Sequence, residues 1–202
     1  TVPSCGNSLD PSCAATVITA EELVRSDVER DALSALREAA GESGGPMERH
    51  CIRDFLIADR LAGAREIDID RELLLVAALL HDIGIYDSVT SGGVYVAEGA
   101  ELSAELTRRH GWDEERVRLC SDAVERHHEL RSQWDRVAEV EVMRRADLID
   151  FSGGLVRFGL SREWLRDLSR SIPRDGFYRE LGGLVAHALR HRPLTLPQIF
   201  LR

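Results

Sequence analysis

The stretch Leu79-Leu80-His81-Asp82-Ile83-Gly84 decides the predicted fold and the predicted site of this chain. It follows the apolar run from Leu73 to Ala78, which predicts a helix buried on most sides. Neighbouring helical side chains point about 100° apart, so His81 and Asp82 can converge on one atom only near the helix end. That atom could be a metal ion, and the ordinary alternative is a hydrogen-bonded histidine beside a helix-terminal aspartate. This stretch alone leaves both interpretations open.

The composition is that of a globular protein with one sizeable core. The chain has 202 residues, of which 44% are hydrophobic and 30% are charged. Its net charge is −9 at pH 7 and it has no basic block, which disfavours a nucleic-acid partner. No apolar stretch reaches the roughly 18 to 20 residues that a membrane-spanning helix needs. We therefore expect a cytoplasmic protein that binds a small molecule, not nucleic acid or a membrane, and a homodimer is left open.

Helical periodicity dominates the chain, and no convincing strand is present. The predicted fold is all-α, a single-domain helical bundle of about eight helices over residues 19–192. Residues 1–18 are aperiodic and are predicted to be an N-terminal tail. Residues 193–202 are predicted to be an extended C-terminal tail, because their prolines cannot continue a helix.

Local signals place several helix starts. The Thr19 to Glu22 spacing fits a capping box and predicts one helix that ends at Gly41. Further starts are indicated at Pro46, Asp70, Asp113 and Ser161.

The four cysteines do not form a disulfide framework in a chain of this length. Cys51 and Cys120 lie in helical patterns and are predicted to pack as small apolar residues. Cys5 and Cys13 lie in the N-terminal tail, where they could pair only in an oxidising compartment. Whether they pair is left open.

Four polar residues on three largely apolar helices could together bind one divalent metal ion. They are the imidazoles and carboxylates of His50, His81, Asp82 and Asp147. Nitrogen and oxygen ligands of this kind suit Zn, Fe, Mn, Co or Ni. A metal held in this way lowers the pKa of a bound water and polarises a substrate oxygen. The set therefore predicts one divalent transition metal and a hydrolase that uses metal-activated water.

The order of these residues resembles the HD-domain superfamily of metal-dependent phosphohydrolases. The resemblance spans roughly residues 46–154 and follows the order H…HD…D. Its motifs are His50, the Ala77 to Gly84 stretch, the Ala123 to His128 stretch and the Arg145 to Asp150 stretch. The resemblance implies an all-helical fold, a metal at the four positions above and an enzyme. The most favoured substrate is a phosphate ester, either nucleotide-like or another phosphomonoester.

Two positions depart from the pattern of that superfamily. Ile85 stands where many phosphohydrolase members have a lysine, and Tyr95 stands where binuclear members have a histidine. One ligand of a second metal is therefore missing, and we expect a single ion. The segment from Tyr95 to Glu101 is similar instead to mononuclear, cyanamide hydratase-like members. A hydro-lyase of that kind is the alternative enzyme, and a metal-binding or ligand-sensing domain without catalysis is the alternative outside enzymes.

Three further residues are predicted to be catalytic. His127 lies where superfamily members have a site histidine, so we expect it to act as a general acid or base. Glu98 could shuttle a proton, although a carboxylate that only stabilises a helix N-terminus is an equal alternative. Arg53 could meet an anionic substrate, although solvated helix-face arginines are commoner.

Four more residues are expected to support the ligands or to contact the substrate. His128 and Asp150 belong to this group, and Asp150 could orient a ligand histidine because it lies one turn after Asp147. Arg144 and Arg145 are further cations for an anionic substrate.

Overall fold

The computed structural model describes residues 18–134 and 137–191, and these ranges contain α-helices and no β-strand. The all-α prediction is therefore confirmed. The helices of the described ranges are α1 (Ala20–Leu23), α2 (Asp27–Ala40), α3 (Pro46–Gly63), α4 (Arg71–Leu80), α5 (Tyr95–Arg109), α6 (Glu114–Glu125), α7 (Ala138–Phe151), α8 (Arg162–Ser171) and α9 (Phe177–His191). Among these helices, none combines the length and the apolarity that crossing a bilayer requires. Apart from Ile18, both predicted tails lie outside the described residues, as do Cys5 and Cys13.

Side-chain caps begin several helices at the predicted residues. Asp70 accepts a hydrogen bond from the Leu73 amide at 3.0 Å and thereby begins α4. The carboxylate of Asp113 and the hydroxyl of Ser161 begin α6 and α8 in the same way. Such a cap stabilises a helix by about 1 kcal/mol. Local chemistry therefore decides where these helices start.

The prediction of one helix from Thr19 to Gly41 is wrong, because the chain breaks between α1 and α2. The Ser26 hydroxyl accepts a hydrogen bond from the Glu29 amide at 3.4 Å, and the Glu29 carboxylate accepts one from the Ser26 amide at 3.2 Å. This reciprocal capping box starts a new helix. The same spacing that predicts a start at Thr19 recurs at Ser26, and the second start interrupts the first helix.

The Leu-rich helix α4 forms the centre of the bundle. Every residue from Leu73 to Leu80 is at most 1% exposed, and α4 packs against α2, α3, α5, α6 and α7. Full burial of a leucine side chain contributes about 1.5 to 3 kcal/mol. Because α4 ends at Leu80, His81 and Asp82 are delivered into the interior of the protein.

Two glycines allow α5 to lie directly against the turn that follows Asp82. That turn is a short 3-10 helix, Ile83–Ile85. A Cβ atom on Gly84 would collide with the Tyr95 carbonyl and lie 3.0 Å from the Gly99 amide nitrogen. A Cβ atom on Gly99 would lie 3.2 Å from the Leu80 carbonyl oxygen. Because these two residues have no side chains, α5 can approach the end of α4 this closely.

We predict that Gly84→Ala destabilises the fold by about 1 to 3 kcal/mol, because the added methyl group must push α5 away from the turn. Urea unfolding followed by circular dichroism measures the free energy of unfolding. Gly63→Ala is the matched control, since a Cβ atom there meets nothing within 4 Å. Equal unfolding free energies for the two variants would contradict the close packing described above.

Candidate metal centre

In the described part of the chain, seven ionisable side chains converge where α3, α7, the end of α4 and the turn after α6 meet. They are His50, Asp54, His81, Asp82, His127, His128 and Asp147. One ligand atom from each of four residues, His50, Asp54, His81 and Asp147, lies within 4.8 Å of the other three. Asp82 lies beside them, with its Oδ2 atom 3.3 Å from His81 Nε2 and 3.8 Å from His50 Nε2. The structure thus brings the four sequence-predicted ligands together.

Hydrogen bonds orient both imidazoles of the predicted ligand set. His50 Nδ1 lies 2.8 Å from Asp150 Oδ2, and His81 Nδ1 lies 2.8 Å from the Ala78 carbonyl oxygen. A carboxylate and a carbonyl only accept, so each Nδ1 carries the hydrogen and donates it. In the neutral imidazoles, each Nε2 then has a lone pair that points into the cluster. The two Nε2 atoms are 3.2 Å apart.

This donor set fits a divalent metal ion. Lone pairs of two imidazoles and oxygens of several carboxylates face one another in the protein interior, where acceptors without a donor are costly. A cation between them satisfies all of these groups at once, and nitrogen with oxygen is the chemistry that Zn, Fe, Mn, Co and Ni accept. A bond from Nδ1 to a carboxylate or a carbonyl is the usual support of a metal-binding histidine.

Without a cation, the side chains of the cluster strongly perturb each other's pKa values. Burial lowers the pKa of His81, but the Asp82 carboxylate outweighs burial and holds the pKa well above its usual value. Burial raises the pKa of Asp82, but His81 and His127 hold it well below its usual value. Burial, and the nearby Asp150 and Asp147, raise the pKa of Asp54 well above its usual value. A metal ion that binds here must displace protons.

His127 and His128 adopt different environments although they are neighbours in the chain. His127 Nδ1 lies 2.6 Å from the Val124 carbonyl oxygen, and its buried Nε2 has no hydrogen-bond partner among the described residues. Burial, followed by the positive charge on His128, lowers the pKa of His127 to about 4. His128 Nδ1 lies 3.2 Å from Asp147 Oδ2, and its Nε2 lies 2.6 Å from the Tyr95 hydroxyl. The structure therefore places both histidines at the cluster.

Asp150 connects the cluster to two arginines. Arg53 donates from Nε and from a terminal nitrogen to the two oxygens of Asp150, both at 2.8 Å. Arg174 adds a third contact to Asp150 at 2.6 Å. Burial raises the pKa of Asp150, but His50 and Arg53 outweigh it and hold the pKa well below its usual value. An ionised Asp150 therefore orients His50, and Arg53 is engaged inside the protein.

The structure does not bring the other predicted residues into the cluster. The Glu98 carboxylate accepts hydrogen bonds from the loop before α5, including the amides of Ser91 at 2.7 Å and Gly93 at 2.9 Å. Arg144 and Arg145 both bind Glu141, and Arg144 does so through two contacts of 2.9 Å. Glu98 thus stabilises the loop that contains Ser91 and Gly93. The two arginines form ion pairs with Glu141 within α7.

Three residues at the cluster are absent from the sequence-based prediction. Asp54 follows His50 by four residues, which places both on one face of α3. Its charge within an otherwise buried helix is a signal that could have identified it. Arg174 and Phe177 come from the chain beyond α7, and the Phe177 ring lies 4.5 Å from the His50 ring. No local pattern connects those two residues with residues so far away in sequence.

The structure defines a helical domain with a buried His/Asp cluster that fits a metal ion, and comparison with protein families identifies the family. Residues 47–152, more than half of the chain, match the family model for the HD domain. The chain belongs to the HD-domain family, as its motifs indicate. A comparison with curated proteins gives no match. The family match ends before α8 and α9, so the segment that supplies Arg174 and Phe177 lies outside it.

We predict that Asp150→Asn weakens metal binding by about 10- to 100-fold, because the neutral amide supports His50 less well than the carboxylate does. Competition with a chromophoric chelator measures the affinity, and circular dichroism verifies the fold. Asp167→Asn is the control, because Asp167 is exposed on α8. Wild-type affinity in folded Asp150→Asn protein would contradict the orienting role.

A second prediction concerns stability in acid. Burial raises the pKa of Glu141, but Arg144 and the neighbouring donors outweigh it and lower the pKa to about 2, against an ordinary value of 4.5. The stabilisation that comes from the ionised form is complete above pH 4.5 and is lost as the pH falls towards 2.

Glu141→Gln should therefore reduce stability at neutral pH and flatten the fall in stability below pH 4.5. Urea unfolding across that pH range measures the effect, with the exposed Glu115→Gln as the control. An unchanged pH dependence in Glu141→Gln would show that the Arg144 and Arg145 contacts do not stabilise the fold.

Proposed function

We propose that this protein is a metal-dependent hydrolase that acts on small phosphate esters. Membership of the HD-domain family supports a metal-dependent hydrolase or phosphohydrolase, and the phosphomonoester substrate is our extension of it. The observation that carries the proposal is the buried cluster in which imidazole Nε2 atoms and carboxylate oxygens face one another. The proposed ligands of the ion are His50, His81, Asp82 and Asp147.

The ion bound at these residues would act as a Lewis acid and as an activator of water. The protein encloses the residues of the cluster unevenly. His50 and His81 are at most 1% exposed, whereas the side chains of Asp147 and His128 are 7% and 25% exposed. A substrate therefore approaches from the side of Asp147 and His128, and the opposite side excludes water.

The geometry favours His128 over the sequence-predicted His127 as the group that moves a proton. His127 donates from Nδ1 to a carbonyl, and its low pKa leaves Nε2 without a hydrogen at neutral pH. His128 is more exposed and lies between the Tyr95 hydroxyl and the Asp147 carboxylate. A histidine held between a hydroxyl and a carboxylate can take up and release a proton without a change in the backbone.

Tyr95 also supports the proposal of a single metal. Its hydroxyl contacts His128, and the sequence resemblance places a histidine of binuclear members at this position. A phenol hydroxyl is a weaker metal ligand than an imidazole unless it loses its hydrogen, and burial raises the pKa of Tyr95 well above its usual value. Tyr95 is therefore expected to remain a hydrogen-bond donor.

Metal content and turnover together test the proposed function. Elemental analysis of the purified protein should give one transition-metal ion per chain, and chelation should abolish hydrolysis. A panel of phosphomonoesters, assayed with Mn, Fe, Co, Ni or Zn, should identify a substrate. His81→Ala should lose the ion and at least about 100-fold of the activity. His110→Ala, at the end of α5, should behave like the wild type.

Each alternative function has its own outcome in this experiment. Hydration of cyanamide without phosphatase activity would replace the proposal with the hydro-lyase. A bound ion without turnover in a broad panel would indicate a metal-binding or ligand-sensing domain. Protein without a stoichiometric metal, and without activity after metal addition, would contradict the proposal altogether.

We further predict that His128→Ala lowers kcat by about 10²- to 10⁴-fold while the protein retains its metal, because His128 moves a proton. Steady-state kinetics with metal analysis of the same sample measures both quantities. Tyr95→Phe should cause a smaller loss, because it removes only the hydroxyl partner of His128. If His128→Ala retains wild-type kcat, the proton is moved by another group.

A further inference from the structure

Asp54 carries a carboxylate that the metal site as proposed so far does not use. The residue is fully buried on α3, and neither of its carboxylate oxygens has a hydrogen-bond partner among the described residues. Its Oδ2 atom lies 3.3 Å from His50 Nε2 and 3.6 Å from His81 Nε2. These nitrogens are the ones whose lone pairs point into the cluster. A buried carboxylate without a partner is costly, so it either takes up a proton or is matched by a compensating charge.

The charges around the cluster indicate what that compensating charge is. Among the described residues, the charged side chains that meet there include the carboxylates of Asp54, Asp82, Asp147 and Asp150 and the guanidinium groups of Arg53 and Arg174. The carboxylates outnumber the guanidinium groups, so the lining of the cluster suits a divalent cation. Asp54 faces that position, because its Oδ2 atom lies within 3.6 Å of both imidazole Nε2 atoms.

We propose that Asp54 is a fifth protein ligand of the metal centre, beside His50, His81, Asp82 and Asp147. This inference rests on the proposed metal site and adds a residue to it. Asp54 and His50 reach the same point because residues four apart lie one above the other on a helix.

A fifth ligand also bears on which ion the protein holds. Structural and catalytic zinc sites usually have three or four protein ligands in a tetrahedral arrangement. Two imidazole nitrogens with three carboxylate oxygens exceed that number, and oxygen-rich sets of higher coordination suit Mn²⁺ or Fe²⁺. Asp54 should therefore raise the affinity of the site for Mn²⁺ or Fe²⁺ relative to Zn²⁺. Removing its carboxylate should lower that relative affinity.

Metal affinity in matched variants tests this role without reference to catalysis. The metal-free wild type, Asp54→Asn and Asp59→Asn proteins are titrated with Mn²⁺ and with Zn²⁺ in competition with a chelator. Asp54→Asn should weaken Mn²⁺ binding by at least about 100-fold, more than the loss of an outer carboxylate causes, and should weaken Zn²⁺ binding less. Asp59→Asn should match the wild type, because Asp59 is exposed on the same helix.

The thermal stability of the same proteins separates a ligand from a structural carboxyl group. If Asp54 is a ligand, Asp54→Asn raises or preserves the melting temperature of the metal-free protein and reduces the rise that Mn²⁺ causes. If Asp54 is instead a neutral acid that shares a hydrogen with His50, Asp54→Asn lowers the metal-free melting temperature and leaves Mn²⁺ affinity intact. That second result would overturn the inference.

A measurement on the wild type keeps the inference testable if Asp54→Asn fails to fold. In a crystal structure of Mn²⁺-loaded protein, an Asp54 oxygen should lie within about 2.0 to 2.2 Å of the ion, a normal metal–carboxylate bond length. An oxygen beyond about 3 Å would overturn the role of Asp54 and leave the proposed function standing. Failure of the wild type to bind any ion would overturn both.

Discussion

The interior of this protein is arranged around the orientation of two imidazoles. His50 and His81 each donate from Nδ1 to a fixed acceptor, so that both Nε2 atoms point at the same place in the interior. This requires α4 to end in the middle of the bundle, where a buried carbonyl of its last turn holds His81. It also requires an ionised carboxylate beside His50, which Asp150 provides. The orientation of the two imidazoles therefore depends both on the apolar packing of α4 and on the ionised Asp150 carboxylate.

The same arrangement explains why charged residues accumulate in the core. Asp150 remains ionised in the interior because His50, Arg53 and Arg174 contact it. Arg174 lies between α8 and α9, beyond the stretch that matches the HD domain. In this protein, the C-terminal part of the chain therefore completes the surroundings of the site, through an ion pair at Asp150 and through the Phe177 ring against His50.

The sequence predicts those features whose signal is local or chemical. Asp70 and Ser161 begin helices because a capping side chain acts within three residues. The proposed metal ligands are identifiable because histidines and aspartates are unusual on largely apolar helices. Partners distant in the chain are not identifiable in this way. The charge of Arg53 suggests a contact with an anionic substrate, yet its guanidinium group binds Asp150, which lies 97 residues later. Asp54 stands out by its charge on an apolar helix, but only the structure shows that neither of its oxygens has a hydrogen-bond partner among the described residues.

Anomalous X-ray diffraction from crystals of the metal-loaded protein can show whether the buried His/Asp cluster holds one metal ion. We expect a single anomalous peak per chain at bonding distance from His50, His81, Asp82 and Asp147. No peak at these residues, or two peaks of equal height there, would contradict this expectation.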